Sequence, residues 1–103
     1  MNQSLIDEIV TNVLAQLQPS AHVYSQIGRV YGIDNQDDKA LEALDKAEQL
    51  DPRFEMTYVY RGNVYLNEGD PEKAKAEYNR ALAINPKNGP ALENLRLATQ
   101  DRR

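Results

Sequence analysis

Residues 24–31 read YSQIGRVY and residues 58–65 read YVYRGNVY, so one pattern, Y-x-x-x-G-x-V-Y, is written twice at a distance of 34 residues. Sliding residues 21–54 over 55–88 without a gap extends the echo. It pairs Tyr24 with Tyr58, Gly28 with Gly62, Val30 with Val64, Tyr31 with Tyr65, Lys39 with Lys73, Ala40 with Ala74, Ala47 with Ala81 and Pro52 with Pro86. Conservative pairs fill the gaps: Asp34/Glu68, Asp38/Glu72, Leu44/Tyr78, Lys46/Arg80, Leu50/Ile84, Asp51/Asn85 and Arg53/Lys87. A fixed period of this length marks a repeat architecture.

Within each unit the apolar and small residues recur at steps of three and four, which is helical spacing and not the alternation of a strand. In the second unit, Tyr58, Gly62 and Tyr65 mark one helix, and Ala74, Tyr78, Ala81 and Leu82 mark the next. The intervening N-E-G-D-P-E is a turn. Gly69 suits the positive φ that ends a helix, Asp70 can cap the following one, and Pro71 fits a first position that needs no amide hydrogen. In the first unit Asn35 stands near the place of Gly69, and Asn also tolerates the left-handed conformation. Asp51-Pro52 and Asn85-Pro86 stop the second helix of each unit, because proline pushes its predecessor out of the helical region.

Gly28 and Gly62 fall mid-helix, each at a cost of about 1 kcal/mol relative to alanine, so close approach of a partner helix is expected to offset them. Ala40, Ala47, Ala74 and Ala81 offer a small-residue seam against the bulky face of Tyr24, Ile27, Tyr31, Tyr58 and Tyr65.

This pattern resembles the tetratricopeptide repeat, a helix-turn-helix unit of about 34 residues with a characteristic order of aromatic, Gly, Tyr, Ala and Pro positions. The matching residues are Tyr24, Ile27, Gly28, Tyr31, Ala40, Leu44, Ala47 and Pro52, then Tyr58, Gly62, Tyr65, Ala74, Tyr78, Ala81 and Pro86. Arg61 departs from it, standing where Ile27 stands and where the family prefers leucine. Its stem is expected on the seam, with the guanidinium reaching water, a carboxylate or a ligand.

The resemblance implies an all-α, right-handed solenoid of antiparallel helix pairs, about six helices in all. The 103 residues are expected to form a single domain: an N-terminal amphipathic helix over 4–18, repeats over 21–54 and 55–88, and a capping helix over 89–101. Met1 and the polar C-terminal helix point to a whole protein. In the last helix Pro90 marks the start, Leu92 and Leu95 stand where the repeat would place Tyr58 and Arg61, and the other face, Glu93, Arg96 and Gln100, is polar, as expected of a capping helix.

Ser4 and Asp7 have capping-box spacing ahead of Leu5, Ile6, Ile9, Val10, Val13, Leu14 and Leu17. Fully burying those seven side chains would contribute roughly 10 to 20 kcal/mol of gross transfer free energy. The N-terminal helix is therefore expected to cover the flank of the first repeat, with pairing to a second copy in a homodimer or a place in the ligand groove as alternatives. Its acids and amides argue against a membrane-surface role.

The composition removes several classes of function. Cysteine is absent, so there is neither a disulfide framework nor a cysteine metal site. A net charge of −4 and a pI near 4.9 oppose nucleic acid as the main partner, and Arg102–Arg103 reads as a frayed polar end. No apolar run approaches the roughly 20 residues that cross a bilayer, and no basic signal opens the chain, so a cytoplasmic location is expected. His22, the one histidine, has no orienting partner, and the D-N-Q-D-D run at 34–38 lacks the length, glycine and closing glutamate of a calcium loop. Neither enzymatic activity nor a cofactor or metal is expected.

What remains is surface. In the family the resemblance suggests, the first helices of successive repeats line a groove that binds a peptide or helix of a partner protein. The corresponding positions are His22, Ser25, Gln26, Arg29 and Ile33, then Met56, Val59, Tyr60, Asn63, Leu66 and Asn67, with Asn94 and Leu97 extending the row. Of the positions used by family members that clamp chaperone tails, here Ser25, Arg29, Asn63, Pro90 and Asn94, only Asn63 agrees. Met56, Val59, Tyr60 and Leu66 are expected to form an apolar floor, or, for Met56 and Tyr60, to pack under the N-terminal helix. Arg29, Asn63 and Asn67 are the expected polar anchors.

Overall fold

The computed structural model describes residues 3–100, and the Arg102–Arg103 pair lies outside them. Six helices follow one another: α1 (Gln3–Gln16), α2 (Ala21–Ile33), α3 (Asp37–Leu50), α4 (Met56–Asn67), α5 (Pro71–Ile84) and α6 (Gly89–Gln100), with no strand among the described residues. The chain is an all-α helical repeat. Helices α2 and α3 pack as one pair and α4 and α5 as the next, with α4 also lying against α2 and α3, and α6 against α5.

Local chemistry fixes the turns. Asn35 and Gly69 take positive φ, 61° and 83°. Ser20 Oγ accepts from the Val23 amide at 3.1 Å to open α2, and Asp70 Oδ1 accepts from the Lys73 amide at 3.1 Å to open α5, with Pro71 in first position. Asp51 and Asn85, each ahead of a proline, are extended and end α3 and α5. Asn88 joins the units: its Oδ1 accepts from the Ala91 amide at the start of α6, while its Nδ2 donates to Glu55 Oε1 at 2.7 Å.

The seam packs by size. Ala40, Ala47, Ala74 and Ala81 are fully buried. The two glycines each receive a large side chain from the second helix of their unit. A Cβ on Gly28 would stand 2.6 Å from Leu44 Cγ, and one on Gly62 would stand 2.5 Å from Tyr78 Cε1. Such distances leave no room for a methyl group, so the helix-breaking cost of glycine is met by buried Leu44 and Tyr78.

Arg61, only 5% exposed, sends its guanidinium to three carboxylates: Asp45 at 2.9 Å, Glu48 at 2.9 Å and Glu77 at 3.1 Å. Arg80 joins Glu48 at 2.6 Å and lies over the Tyr58 ring, 4.3 Å from its centre. Burial disfavours the Arg61 charge, but Glu77 and Glu48 outweigh it and hold its pKa above the ordinary value.

The N-terminal helix departs from expectation. It begins at Gln3, which puts Ser4 inside the helix and not at its cap; the side chain of Ser4 lies outside what the structure describes. Asp7 does not close a capping box, because its carboxylate takes the Tyr31 hydroxyl at 2.7 Å and Lys39 Nζ at 2.9 Å. Of the seven apolar side chains only Ile6 is fully buried, joining Ile27, Tyr31, Ala40, Ala43, Leu44 and Val64, while Val10 and Leu14 pack beside it. Leu5, Ile9 and Leu17 remain about half exposed. A single flank cannot cover an apolar arc wider than one helix face, so α1 buries one stripe and displays another.

Candidate functional site

Residues four apart on a helix share a face, and on α2 that arithmetic puts His22, Gln26, Arg29 with Val30, and Ile33 on one ridge. The ridge faces away from α3, because Ile27, Gly28 and Tyr31 are turned into the core. Clefts run along both sides of it.

The cleft between α2 and α4 has a volume of 290 Å³ and is lined by Gly28, Arg29, Gly32, Ile33, Asn35, Tyr60, Asn63, Val64 and Asn67. It brings together five of the anticipated residues: Arg29, Ile33, Tyr60, Asn63 and Asn67. Gln26 reaches it from the rim, donating to the Tyr60 hydroxyl at 3.4 Å, and Asn94 of α6 donates to Asn63 Oδ1 at 2.9 Å.

Met56, Val59 and Leu66 do not supply the expected apolar floor. Val59 is 1% exposed, and Met56 and Leu66 lean on the same core of Tyr58, Ala74, Tyr78 and Ala91. Met56 Sδ also accepts from Asn88 Nδ2 at 3.5 Å, so it packs toward the α5–α6 junction and not under α1. Ser25 is sealed as well, sharing a 2.8 Å hydrogen bond with Thr57 between the two buried hydroxyls. His22 is exposed, its ring edge-on to Phe54 at 5.7 Å, and Leu97 is 42% exposed.

Amide groups in the cleft are held in fixed orientations. Asn63 Oδ1 accepts from both the Tyr78 hydroxyl, at 2.6 Å, and Asn94 Nδ2, at 2.9 Å, so its own Nδ2 is left to donate. Burial raises the Tyr78 hydroxyl to a pKa of about 12, which keeps it a donor at neutral pH. Asn67 Nδ2 donates to Asn35 Oδ1 at 2.9 Å and extends the amide row toward the turn.

The carboxylates are segregated, although α3 also carries Lys39 and Lys46, and α5 Lys73, Lys75 and Arg80. Helices α2 and α4 contain no Asp or Glu, whereas α3 carries Asp37, Asp38, Glu42, Asp45 and Glu48, and α5 carries Glu72 and Glu77. Arg61 is consumed by that acidic side. Arg29 is exposed at the cleft and has no ion-pair partner among the described residues. A chain of net charge −4 therefore presents a cation and a row of amides on this face.

The second cleft lies between α1 and α2, has a volume of 250 Å³ and is walled by Ile9, Val10, Val13, Leu17, His22, Val23, Gln26, Ile27 and Val30. Sequence reasoning missed it. The signal was the row Leu5, Ile9, Val13, Leu17 at steps of four, distinct from the inward row Ile6, Val10, Leu14. Gly32 and Asn35 were also overlooked at the end of α2.

Two tetratricopeptide-repeat family models match, one over residues 21–54 and the other over 56–88, the same two units that the fold pairs. The chain belongs to the tetratricopeptide-repeat family. Among relatives of this repeat protein, BBSome complex member BBS4 of Bos taurus is 34% identical over 89 residues, 85% of this chain and 17% of the relative. Anaphase-promoting complex subunit 3 of Schizosaccharomyces pombe is 27% identical over 59 residues, 57% of this chain and 9% of that one. Human protein O-mannosyl-transferase TMTC1 is 28% identical over 100 residues, 92% of this chain and 11% of the relative. This chain thus spans less than a fifth of the length of these relatives. Among solved structures, the second TPR domain of human RPAP3, determined with HSP70 peptide SGPTIEEVD, superposes with a TM-score of 0.75 at 21% identity, over 90% of this chain and 78% of that domain.

No group of three or more His, Cys, Asp or Glu among the described residues could hold a metal ion, and no helix among them is long and apolar enough to cross a membrane.

Proposed function

We propose that this tetratricopeptide-repeat chain is a non-enzymatic adaptor that holds a peptide from a partner protein along the α2–α4 cleft, with α6 extending the surface. One observation carries the reading: Arg29 has no ion-pair partner among the described residues and stands beside oriented amides, on two helices free of carboxylates, in a chain of net charge −4. That is an environment for a peptide carboxylate. Arg29 would supply the charge-assisted bond, Asn63 Nδ2 a fixed donor and Tyr60 the flank of the cleft.

The RPAP3 domain of the same fold was determined with a peptide, SGPTIEEVD, that carries three acids among its last four residues, which supports an acidic peptide as the ligand. BBS4 and anaphase-promoting complex subunit 3 are by name members of complexes, which accords with an adaptor role. The transferase name of TMTC1 belongs to a protein of which this chain spans 11%. The carboxylate would be bound differently from the family's usual clamp, because Ser25 is buried against Thr57 and Asn63 alone matches.

Fluorescence titration with labelled SGPTIEEVD tests this, with a version whose Glu and Asp are replaced by amides as the control. Replacing Arg29 or Asn63 by Ala is expected to weaken the acidic peptide by about tenfold, the scale of one lost charge-assisted hydrogen bond, and to leave the amide version unaffected. Equal affinity in both variants, or equal binding of both peptides, would remove the cleft from the reading.

A further inference from the structure

We propose that the apolar slot between α1 and α2 is a second binding subsite for the same ligand, taking bulky aliphatic side chains of the peptide whose carboxylate lies at Arg29. The inference rests on the reading of the α2–α4 cleft and adds the class of ligand: a peptide segment in which two aliphatic residues adjoin an acidic one.

Continuity is the first argument. Val30, which walls the apolar slot, follows directly on Arg29, which lines the amide cleft. Gln26 walls the slot and also donates to Tyr60 of the other cleft, so a single ridge of α2 separates the two. A ligand lying across that ridge reaches both.

Size is the second. From Ile9 to Leu17 the helical rise gives a length of about 12 Å. Side chains on one face of an extended peptide recur every 7 Å or so, and two fit that length. A slot of 250 Å³ over this length has room for a row of side chains.

Charge is the third and selects the occupant. Asp7, the titratable group of α1 nearest the first repeat, is spent on Tyr31 and Lys39. On α2 the polar groups that wall the slot are His22 and Gln26, Arg29 precedes the wall residue Val30, and that helix carries no carboxylate, while exposed Glu8 of α1 precedes Ile9. A ligand acid lying across the α2 ridge comes beside Arg29, whereas a lysine placed there meets that same cation.

The variants Ile9→Gln and Val30→Gln test the slot with little risk to the fold, since the two side chains are 47% and 37% exposed. The probes are three short synthetic peptides: one with two leucines at alternate positions next to two glutamates, one with alanines for the leucines, and one with lysines for the glutamates. The leucine–glutamate peptide is expected to bind the intact chain best and to lose about tenfold in each variant, while the alanine peptide binds all three proteins alike. Methyl shifts of Ile9, Val13 and Val30 on titrating the unmutated chain read the contact without any substitution. Shifts confined to the α2–α4 cleft, with affinity unchanged by Ile9→Gln and Val30→Gln but lost with Asn63→Ala, would overturn the slot and leave the adaptor reading standing. Shifts that grow with protein concentration in the absence of peptide would assign the slot to a second copy and also overturn the proposal.

Discussion

The two repeats share a period and a backbone but solve one packing problem with different chemistry. In the first, Gly28 receives an aliphatic side chain, Leu44, and Ile27 closes the seam. In the second, Gly62 receives the ring of Tyr78, and Arg61 replaces the aliphatic residue with a charge held by three carboxylates. The first repeat is thus an ordinary apolar core. The second ties its core to both faces: the Tyr78 hydroxyl reaches Asn63 in the cleft, and Arg61 reaches the acidic side of α3 and α5. What a repeat holds constant is shape at the glycine; the residue that fills the space is free to bring polar connections.

The deepest cut into this contrast is to empty each glycine notch. Tyr78→Ala is expected to cost about 4 kcal/mol and Leu44→Ala about 3, both read from urea unfolding midpoints. Only the tyrosine variant also frees an acceptor on Asn63, so peptide affinity should fall in Tyr78→Ala and hold in Leu44→Ala. Equal loss of affinity in both would mean that the two repeats are wired alike.

Arg61 gives the next contrast. Truncation in Arg61→Ala leaves Glu77, itself largely buried, with the 3.6 Å contact to Arg80 as its remaining ion pair, for a cost of about 3 kcal/mol. Arg61→Leu made together with Glu77→Ala copies the aliphatic solution of the first repeat, where Ala43 stands at the position matching Glu77, and should cost less than about 1 kcal/mol, because replacing both partners of a buried ion pair by apolar groups loses little. A double variant as unstable as the alanine one would show that the charges, and not the filled volume, hold the second repeat.

Filling the notches is milder. An added methyl loses from overpacking and gains in helix propensity, for a net cost of about 2 kcal/mol in Gly62→Ala and about 1 in Gly28→Ala. The ring of Tyr78 is tethered by its hydroxyl and yields less than the branch of Leu44. A reversed order in thermal or urea unfolding would contradict that.

Much of this was legible in the sequence because backbone demands are written in residues with few alternatives. Asn35 and Gly69 announced their turns, Pro52 and Pro86 their helix ends, and the glycines their close contacts. The cleft was half legible. Arg29, Tyr60, Asn63 and Asn67, which the family resemblance implied, line it, but Val59 does not: one helical step of 100° separates a surface position from a core position, and the phase of α4 relative to α2 is set by inter-repeat packing that no local pattern encodes. The acidic network around Arg61 joins residues 13 to 16 apart across helices, beyond any periodic rule. The α1–α2 slot is hidden in the sequence because seven apolar residues on one short helix read as a single stripe although they form two.

The smallest predicted effect concerns the two ends of the array, α1 and α6. Helix α6 is anchored by buried Ala91 and Ala98, whereas α1 has Ile6 and the polar latch of Asp7 with Tyr31 and Lys39. The hydrogen bond from Lys39, with that from Tyr31, holds the Asp7 carboxyl below its ordinary pKa, so this contact stabilises the folded form above the unfolded value of about 4 and is lost as pH falls through the lower, folded one. Tyr31, raised to about 12 by burial and by the bond to Asp7, contributes at all pH values below about 10 and loses its share as pH climbs toward 12. The latch is therefore closed between these limits and opens on either side of them. Amide protection factors, with the intrinsic pH dependence of exchange divided out, are expected to fall in α1 on acidification below about pH 4, before those of α6 respond, and Asp7→Asn should abolish the difference in protection between pH 3 and pH 7 in α1 alone. Equal protection of α1 and α6 across the acid range would mean that α1 is held by its single apolar stripe and that the carboxylate adds nothing.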